Sequence, residues 1–346
     1  MIKKFFKLIA LLIIIGSFAA GWYWNEYKVY LIQPLNIPVS EPSGNKAKQI
    51  FTIKKGELIQ HIANKLHQQS IITHPEYFRF YARFSKKAEK IKAGEYSLKA
   101  GMTIVDLIDL FISGKVNQYS LTIVEGWTLK EALHAIITDN NLTQSSKAIE
   151  LDNYDDLKKY LKTQQTNLEG LLYPDTFNFP RGTSHYQFIK RSYEQMQRVL
   201  AEEWQNREKT TPLKSAYEAL ILASIVEKES GISTERSKIA GVFIRRMNKN
   251  MRLQSDPTII YGMGDRYNGN IRRRDINEKT AYNTYQINGL PPTPIAIPGR
   301  EGIHAVLHPD KGKSLYFVAD GSGGHLFSNN LKAHNNAVRK YILKKK

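Results

Sequence analysis

Cysteine is absent from the 346 residues. That excludes disulfides, Cys-ligated zinc, iron–sulfur clusters, a thiol nucleophile and a lipidated N-terminal cysteine, while leaving the redox compartment open. Neither the dinucleotide glycine fingerprint nor the phosphate-loop pattern occurs, and there is no convincing repeat or low-complexity tract. Negative charge is scarce: 32 Asp and Glu stand against 50 Lys and Arg, a formal net charge of +18. Three lysines in the first seven residues and three at the end account for only part of that excess, so the body of the chain is basic too. What is present is enough for a folded core. Apolar residues make up 42% and charged residues 24%, in a length that accommodates two domains or three small ones.

Long apolar runs are confined to one place. Leu8 to Trp24 is uncharged, and with Phe5, Phe6 and Lys7 it makes 20 residues, about 30 Å of helix or one hydrocarbon thickness. Lys3, Lys4 and Lys7 precede it, and Trp22, Tyr23 and Trp24 stand where an interfacial aromatic belt belongs. The expectation is a cytoplasmic N-terminus over 1–7, a single-pass transmembrane anchor over 8–24 and export of the remainder. The rival is a cleaved signal peptide with Ser17-Phe18-Ala19 as its small-residue site. A linker over 25–47 follows, its part from Gln33 to Asn45 holding three prolines and a glycine. Export turns the basic charge toward anionic lipid or an acidic envelope polymer rather than nucleic acid, which is not expected as a partner.

The exported part predicts an α+β protein. Ile50 to Ile53 reads as a strand, and Leu58, Ile62 and Leu66 mark a helix face. Thr73 with Glu76 reads as an N-cap and capping box for a second helix ending at Phe84. Lys92 to Leu98 gives a turn and a return strand, making a βααβ module over 48–98. Residues 99–140 form an α+β connecting region, with a helix over 102–113 stopped by Gly114, a strand over 119–124 and a helix over 130–137. Residues 141–346 form a mixed α/β domain, opened by a polar stretch and a long amphipathic helix from His185 to Arg207.

One helix carries chemistry. Ala216 to Glu229 is apolar around most of its circumference, so it is buried, and it ends in Glu227-Lys228-Glu229-Ser230-Gly231 with Gly231 as a left-handed cap. Burial and the negative end of the helix dipole both favour a neutral carboxyl, so one glutamate here has a raised pKa. A carboxylic acid protonated near neutral pH suits protonation of a glycosidic oxygen. Glu227 and Glu229 lie about 200° apart around the helix and cannot share one site. Glu227 is expected to pair with a nearby cation such as Arg236 or Lys228. The bland alternative for either is a solvated residue at a helix end.

Two resemblances extend this. Phe51-Thr52-Ile53-Lys54-Lys55-Gly56-Glu57, with Ile62-Ala63 and the late Lys92-Ala93-Gly94-Glu95 turn, resembles a LysM module, a small peptidoglycan-binding fold; a generic α+β module is its alternative. The blocks Glu169 to Phe177, Ala223 to Glu229, Arg252 to Thr258 with Tyr261-Gly262, Ala281 to Tyr285 with Gly289 to Pro292, and Phe317 to Gly321 with Gly324-His325 resemble, in order, the endolytic murein transglycosylase family, described as MltG or YceG-like. The resemblance implies cleavage between MurNAc and GlcNAc inside nascent glycan strands, leaving 1,6-anhydro-MurNAc ends and terminating elongation. It places the family's catalytic carboxyl on Glu229. Gln254, Tyr282, Asn283 and Tyr285 are the candidate substrate-binding residues, amides for the N-acetyl and hydroxyl groups and phenols for a sugar face; loop capping and packing are their alternative roles. Asp256 reads as structural. Arg266 and Arg272 to Arg274 either meet stem-peptide carboxylates or form a solvated basic face. His325 and His334 lie apart, so no metal is expected, and no cofactor. The implied setting is the bacterial inner membrane, with the catalytic part periplasmic, glycan strands and the bilayer as partners, and the identity of any accompanying peptidoglycan synthase open. A lysozyme-type hydrolase and a non-catalytic wall-binding protein are the competing classes.

Overall fold

The structure is a computed structural model that describes residues 2–37, 49–145, 147–151 and 153–343. The chain divides after Tyr119 into two compact units.

The first unit begins with α1 (Ile2–Ile32). Over Lys4–Ile32 this helix is long and apolar enough to cross a bilayer. It does not stop at Trp24. Asn25 to Ile32, expected as linker, continue the helix because its apolar residues become one-sided there. Tyr27 and Leu31, one turn apart, are buried, as are Leu35 and Ile37 beyond the helix. The Leu35 N–H donates to the Met102 carbonyl at 2.7 Å. The rest of the expected linker lies outside the described residues.

Four elements follow: β1 (Gln49–Ile53), α2 (Ile59–Gln68), α3 (Pro75–Phe84) and β2 (Gly94–Leu98). β1 and β2 pair antiparallel, with Phe51 opposite Tyr96. The strand–helix–helix–strand order is the expected one; many α+β modules share it, and it does not by itself make the module a LysM fold. Nor do these four elements close a core alone. α4 (Ile104–Ser113), expected to belong to a connecting region, buries Ile104, Leu107, Ile108 and Phe111 completely. Phe111 stacks on Phe51 at 5.7 Å. A boundary at residue 98 would therefore cut through the core. Another correction concerns the start of α3. Its N-cap is His74, and Thr73 makes no capping box. The Tyr30 hydroxyl accepts instead from the N–H groups of Thr73 and His74 at 2.7 and 3.0 Å, so a side chain of α1 satisfies donors at the head of α3.

β3 (Gln118–Thr122) leads into the second unit, where it neighbours β4 (Thr176–Pro180). Between them lie α5 (Leu129–Thr138) and α6 (Asp155–Leu161); after them comes α7 (His185–Gln205). The centre of the unit is α8 (Ala216–Glu229), with Ala219 to Val226 all buried. A helix apolar all round needs neighbours on every side. Those neighbours are α7, α9 (Ser233–Asn248), α10 (Asp256–Met263) and α12 (Arg300–Leu307); the short α11 (Arg273–Asn277) lies between the last two in sequence. The chain closes with a hairpin of β5 (Tyr316–Ala319) and β6 (His325–Ser328) followed by α13 (Leu331–Tyr341). Each sheet has two strands, so the α+β class holds. α8 ends differently from expectation: Gly231 is not left-handed. The backbone leaves the helix at Ser230 in an extended conformation, and the Ser230 hydroxyl accepts from the Ile232 N–H at 3.0 Å.

Candidate functional site

The last residue of α8, Glu229, opens into a cleft of about 580 Å³. One wall is the segment from Leu253 to Asp256 at the head of α10, together with Tyr285. The other is β5, with Tyr316, Phe317 and Val318, backed by α13 with His334. The helix delivers the carboxyl there because its apolar body is fixed on all sides and only its terminus reaches the cleft.

Glu229 is held by one strong contact. The Ser255 hydroxyl donates to Oε1 at 2.5 Å. Ser255 is itself fixed: its N–H donates to Thr284 Oγ1 at 2.9 Å, and its carbonyl accepts from Thr258 Oγ1 at 2.6 Å. All three are buried, so the donor cannot swing away. Oε2 makes no hydrogen bond among the described residues and is available to a ligand. Burial pushes the Glu229 carboxyl up to about 7. The neighbouring Asp256 charge pushes the same way; the Ser255 hydrogen bond and the charges of His325 and Arg246 oppose it.

Glu227, two residues earlier, takes the other side of the helix. Arg236 donates to it at 2.8 Å and also serves Glu125 at 3.1 Å and Glu301 at 2.6 Å. The expected pairing with Arg236 is thus present. The two carboxyls are chemically separate, one in a partly buried ion cluster and one facing the cleft.

The four candidate binding residues divide evenly. Gln254 and Tyr285 line the cleft. Gln254 sits in the left-handed region at φ 54°, a conformation that costs a non-glycine residue roughly 1 kcal/mol or more. Its N–H donates to the Thr284 carbonyl at 3.2 Å, which keeps it there. The Tyr285 hydroxyl donates to Asp256 Oδ1 at 2.7 Å. Asn283 and Tyr282 do not line the cleft. The Asn283 amide is buried and donates to the carbonyls of Asp275, Ile276 and Glu278 at 2.7 to 3.1 Å, which ties the loop together. The Tyr282 hydroxyl lies 2.8 Å from Thr293 Oγ1. Both take the packing role that was their alternative. Asp256, read as structural, is a second carboxylate in the cleft wall.

Sequence reasoning missed Arg246. This buried guanidinium on α9 donates to the Leu315 carbonyl at 2.8 Å and the Leu253 carbonyl at 2.7 Å, so it fastens both walls. Its cation lies over the Tyr316 ring at 5.0 Å. No local pattern singles out this arginine among the many of the chain. His334 stacks on Tyr316 at 5.2 Å, and its Nδ1 has no partner among the described residues. The other histidine considered for metal, His325, lies 2.8 Å from Glu235. Among the described residues one group brings metal-ligand atoms together: Glu203, His304 and His308, outside the cleft lining. There Arg300 donates to one Glu203 oxygen at 2.9 Å, and His304 Nδ1 lies 2.8 Å from the other. Arg266, considered for stem peptides, is paired with Glu278 at 3.2 Å.

Comparison with known proteins gives the chain's relatives. The model of the YceG-like family matches residues 51–340. The chain is 31% identical to the endolytic murein transglycosylase of Bacillus subtilis (strain 168), over 89% of this chain and 88% of that one. It is 29% identical to the protein of the same name from Streptococcus pneumoniae serotype 2, with 97% of this chain and 65% of the streptococcal length covered. A crystal structure of a yceG-like protein from Listeria monocytogenes superposes with a TM-score of 0.53 at 29% identity, over 84% of this chain and 98% of that one.

Proposed function

Since the chain belongs to the YceG-like family, we propose that it is a peptidoglycan lytic transglycosylase that cuts within glycan strands, held at the membrane by α1, with Glu229 as its acid and base. The observation that carries this reading is a carboxyl raised to about 7 at the floor of an open cleft, with one oxygen held and the other free.

The chemistry needs only that group. Protonated Glu229 gives its proton to the oxygen bridging MurNAc C1 and the next GlcNAc, and the C1–O bond breaks with positive charge developing at C1. The resulting carboxylate takes the proton from the MurNAc C6 hydroxyl as that oxygen bonds C1. The products are a 1,6-anhydro-MurNAc end and a free GlcNAc hydroxyl, and Glu229 is again protonated. Water is neither consumed nor released. The nucleophile belongs to the same sugar ring, so no second reactant must be positioned, and the second carboxylate of a hydrolase is dispensable. Gln254 and Tyr285 supply amide and phenol contacts to the sugars. Tyr316 and His334 complete the opposite wall beside them. The positive charge of the chain favours strands carrying acidic stem peptides, and the anchor confines the cleft to strands near the bilayer.

Asp256 supports a second reading, hydrolysis with a carboxylate that activates water. Its Oδ1 already accepts from Tyr285, which favours a fixed electrostatic role over that of a base. Product mass separates the two, because hydrolysis adds one water to the new end. Purified uncrosslinked glycan treated with the wild-type protein is expected to give anhydro ends. Glu229→Gln is expected to give none while remaining folded. Anhydro ends at the wild-type rate from the variant would overturn the assignment of Glu229, and exclusively hydrated ends from the wild type would overturn the reaction type.

A further inference from the structure

α3 carries two large apolar side chains that its own unit covers only in part. Phe80 and Phe84, one turn apart, stack on each other at 5.7 Å, and Phe84 is 72% exposed. Paired phenylalanines on an exposed helix face are costly in water unless something covers them. Their position says what does. α3 packs against the part of α1 that follows its apolar run: His74 meets Tyr30, Tyr77 meets Tyr30, Tyr27 and Tyr23, and Phe80 meets Tyr27. α3 therefore lies beside the part of α1 that adjoins the apolar run, with Tyr77 reaching as far as Tyr23, and Phe84 follows Phe80 by one turn. Tyr27 is three residues past Trp24, about 4.5 Å of helix rise. The headgroup layer beyond the hydrocarbon is about 5 to 7 Å deep on each side. With Trp22 and Trp24 in the aromatic belt, the contacts to Tyr23 and Tyr27 put Tyr77 and Phe80 at the level of that layer, and Phe84 is the next turn of the same exposed face. The flank fits as well. Arg83 and Lys86 beside the pair are exposed and enter no ion pair among the described residues, and Lys28 Nζ lies 5.4 Å over the Trp24 ring. An apolar pair bordered by free cations is how an interfacial helix meets an anionic leaflet.

The geometry points to α3 as a second membrane contact: Phe80 and Phe84 are inserted into the leaflet from which α1 emerges, with Arg83 and Lys86 on its anionic headgroups. This rests on the reading of α1 as a membrane anchor, and the experiment separates the two. The chain has no cysteine, so a single introduced one accepts a nitroxide without background. Phe84→Cys and Ala19→Cys, each in the full chain, are reconstituted into vesicles of phosphatidylcholine and phosphatidylglycerol. Collision rates of the label with oxygen, which partitions into lipid, are compared with those of a water-soluble nickel complex. Phe84 is exposed, so its replacement leaves the fold intact. The expected result is oxygen-dominated collision at both sites, deeper at 19 than at 84. Nickel-dominated collision at 84 with oxygen-dominated collision at 19 overturns the inference and leaves the anchor standing. Low collision with both reagents at 84 means that a protein surface covers the pair and overturns it too. Nickel-dominated collision at both sites removes the anchor reading and this inference together.

Discussion

Two neighbours of Glu229 pull its proton affinity in opposite directions, which makes the assignment testable side chain by side chain. The acid form must donate, so cleavage is expected to fall as pH rises through about 7. The Ser255 hydroxyl bonds the ionised form and holds the pKa down. Ser255→Ala is expected to move the basic limb of the kcat/KM–pH profile upward, with a lower maximum because the carboxyl loses its orienting donor. Asp256 raises the pKa by charge, and Asp256→Asn is expected to move the limb downward. A common direction for both variants would contradict these electrostatics. The apolar helix ending in two carboxyls was legible in the sequence because it is a one-dimensional pattern; that pattern did not choose between Glu227 and Glu229, and the resemblance to the family did. Tyr282 and Asn283 were misassigned because they lie in a loop, where neither periodicity nor residue type says which way a side chain turns. Asn283 spends its amide on three carbonyls of its own loop.

Among the elements, the two walls of the cleft are joined through Arg246 rather than through a shared sheet. Arg246→Met leaves the Leu253 and Leu315 carbonyls without their donor, at about 1–3 kcal/mol each where no water replaces it. A matching drop in urea midpoint is expected, together with a raised KM for glycan, since β5 and the segment before α10 lose their tie. The block beginning at Glu169 has a steric test. Gly170 has φ +75°, and a Cβ there would meet Pro294 Cβ at 2.5 Å. Gly170→Ala is therefore expected to destabilise by about 2–4 kcal/mol, read as a lower melting temperature. Most helices were legible from their spacing. The closure of the first core by α4 was not, because a βααβ pattern read alone looks complete. The cap of α3 was not either, because Tyr30 reaches it from 43 residues away.

For the molecule as a whole, Glu169 is a second buried carboxyl that, with Glu229, makes stability depend on pH. Glu169 accepts from the Leu129 N–H at 2.8 Å and from the Tyr261 hydroxyl at 3.1 Å, yet burial raises it to about 7. A carboxyl that binds its proton more tightly folded than unfolded stabilises most below its unfolded pKa, near 4.5, and loses that contribution as pH rises through about 7. Unfolding free energy is expected to decline between pH 5 and 8, and Glu169→Gln to flatten that decline; a decline of equal slope in the variant would show that other groups set it. The division into two units was only partly legible, because the sequence marks linkers by proline and glycine and none marks residue 119. The most consequential miss was the continuation of α1 beyond Trp24. Under the proposed reading of α1 as an anchor, a flexible tether would let the first unit tumble freely above the bilayer. An unbroken rod whose far end is part of that unit's core behaves instead like a mast: any tilt of the span leans the unit by the same angle. In that reading, lipid thickness, through the tilt it favours in a long span, sets how far this unit leans.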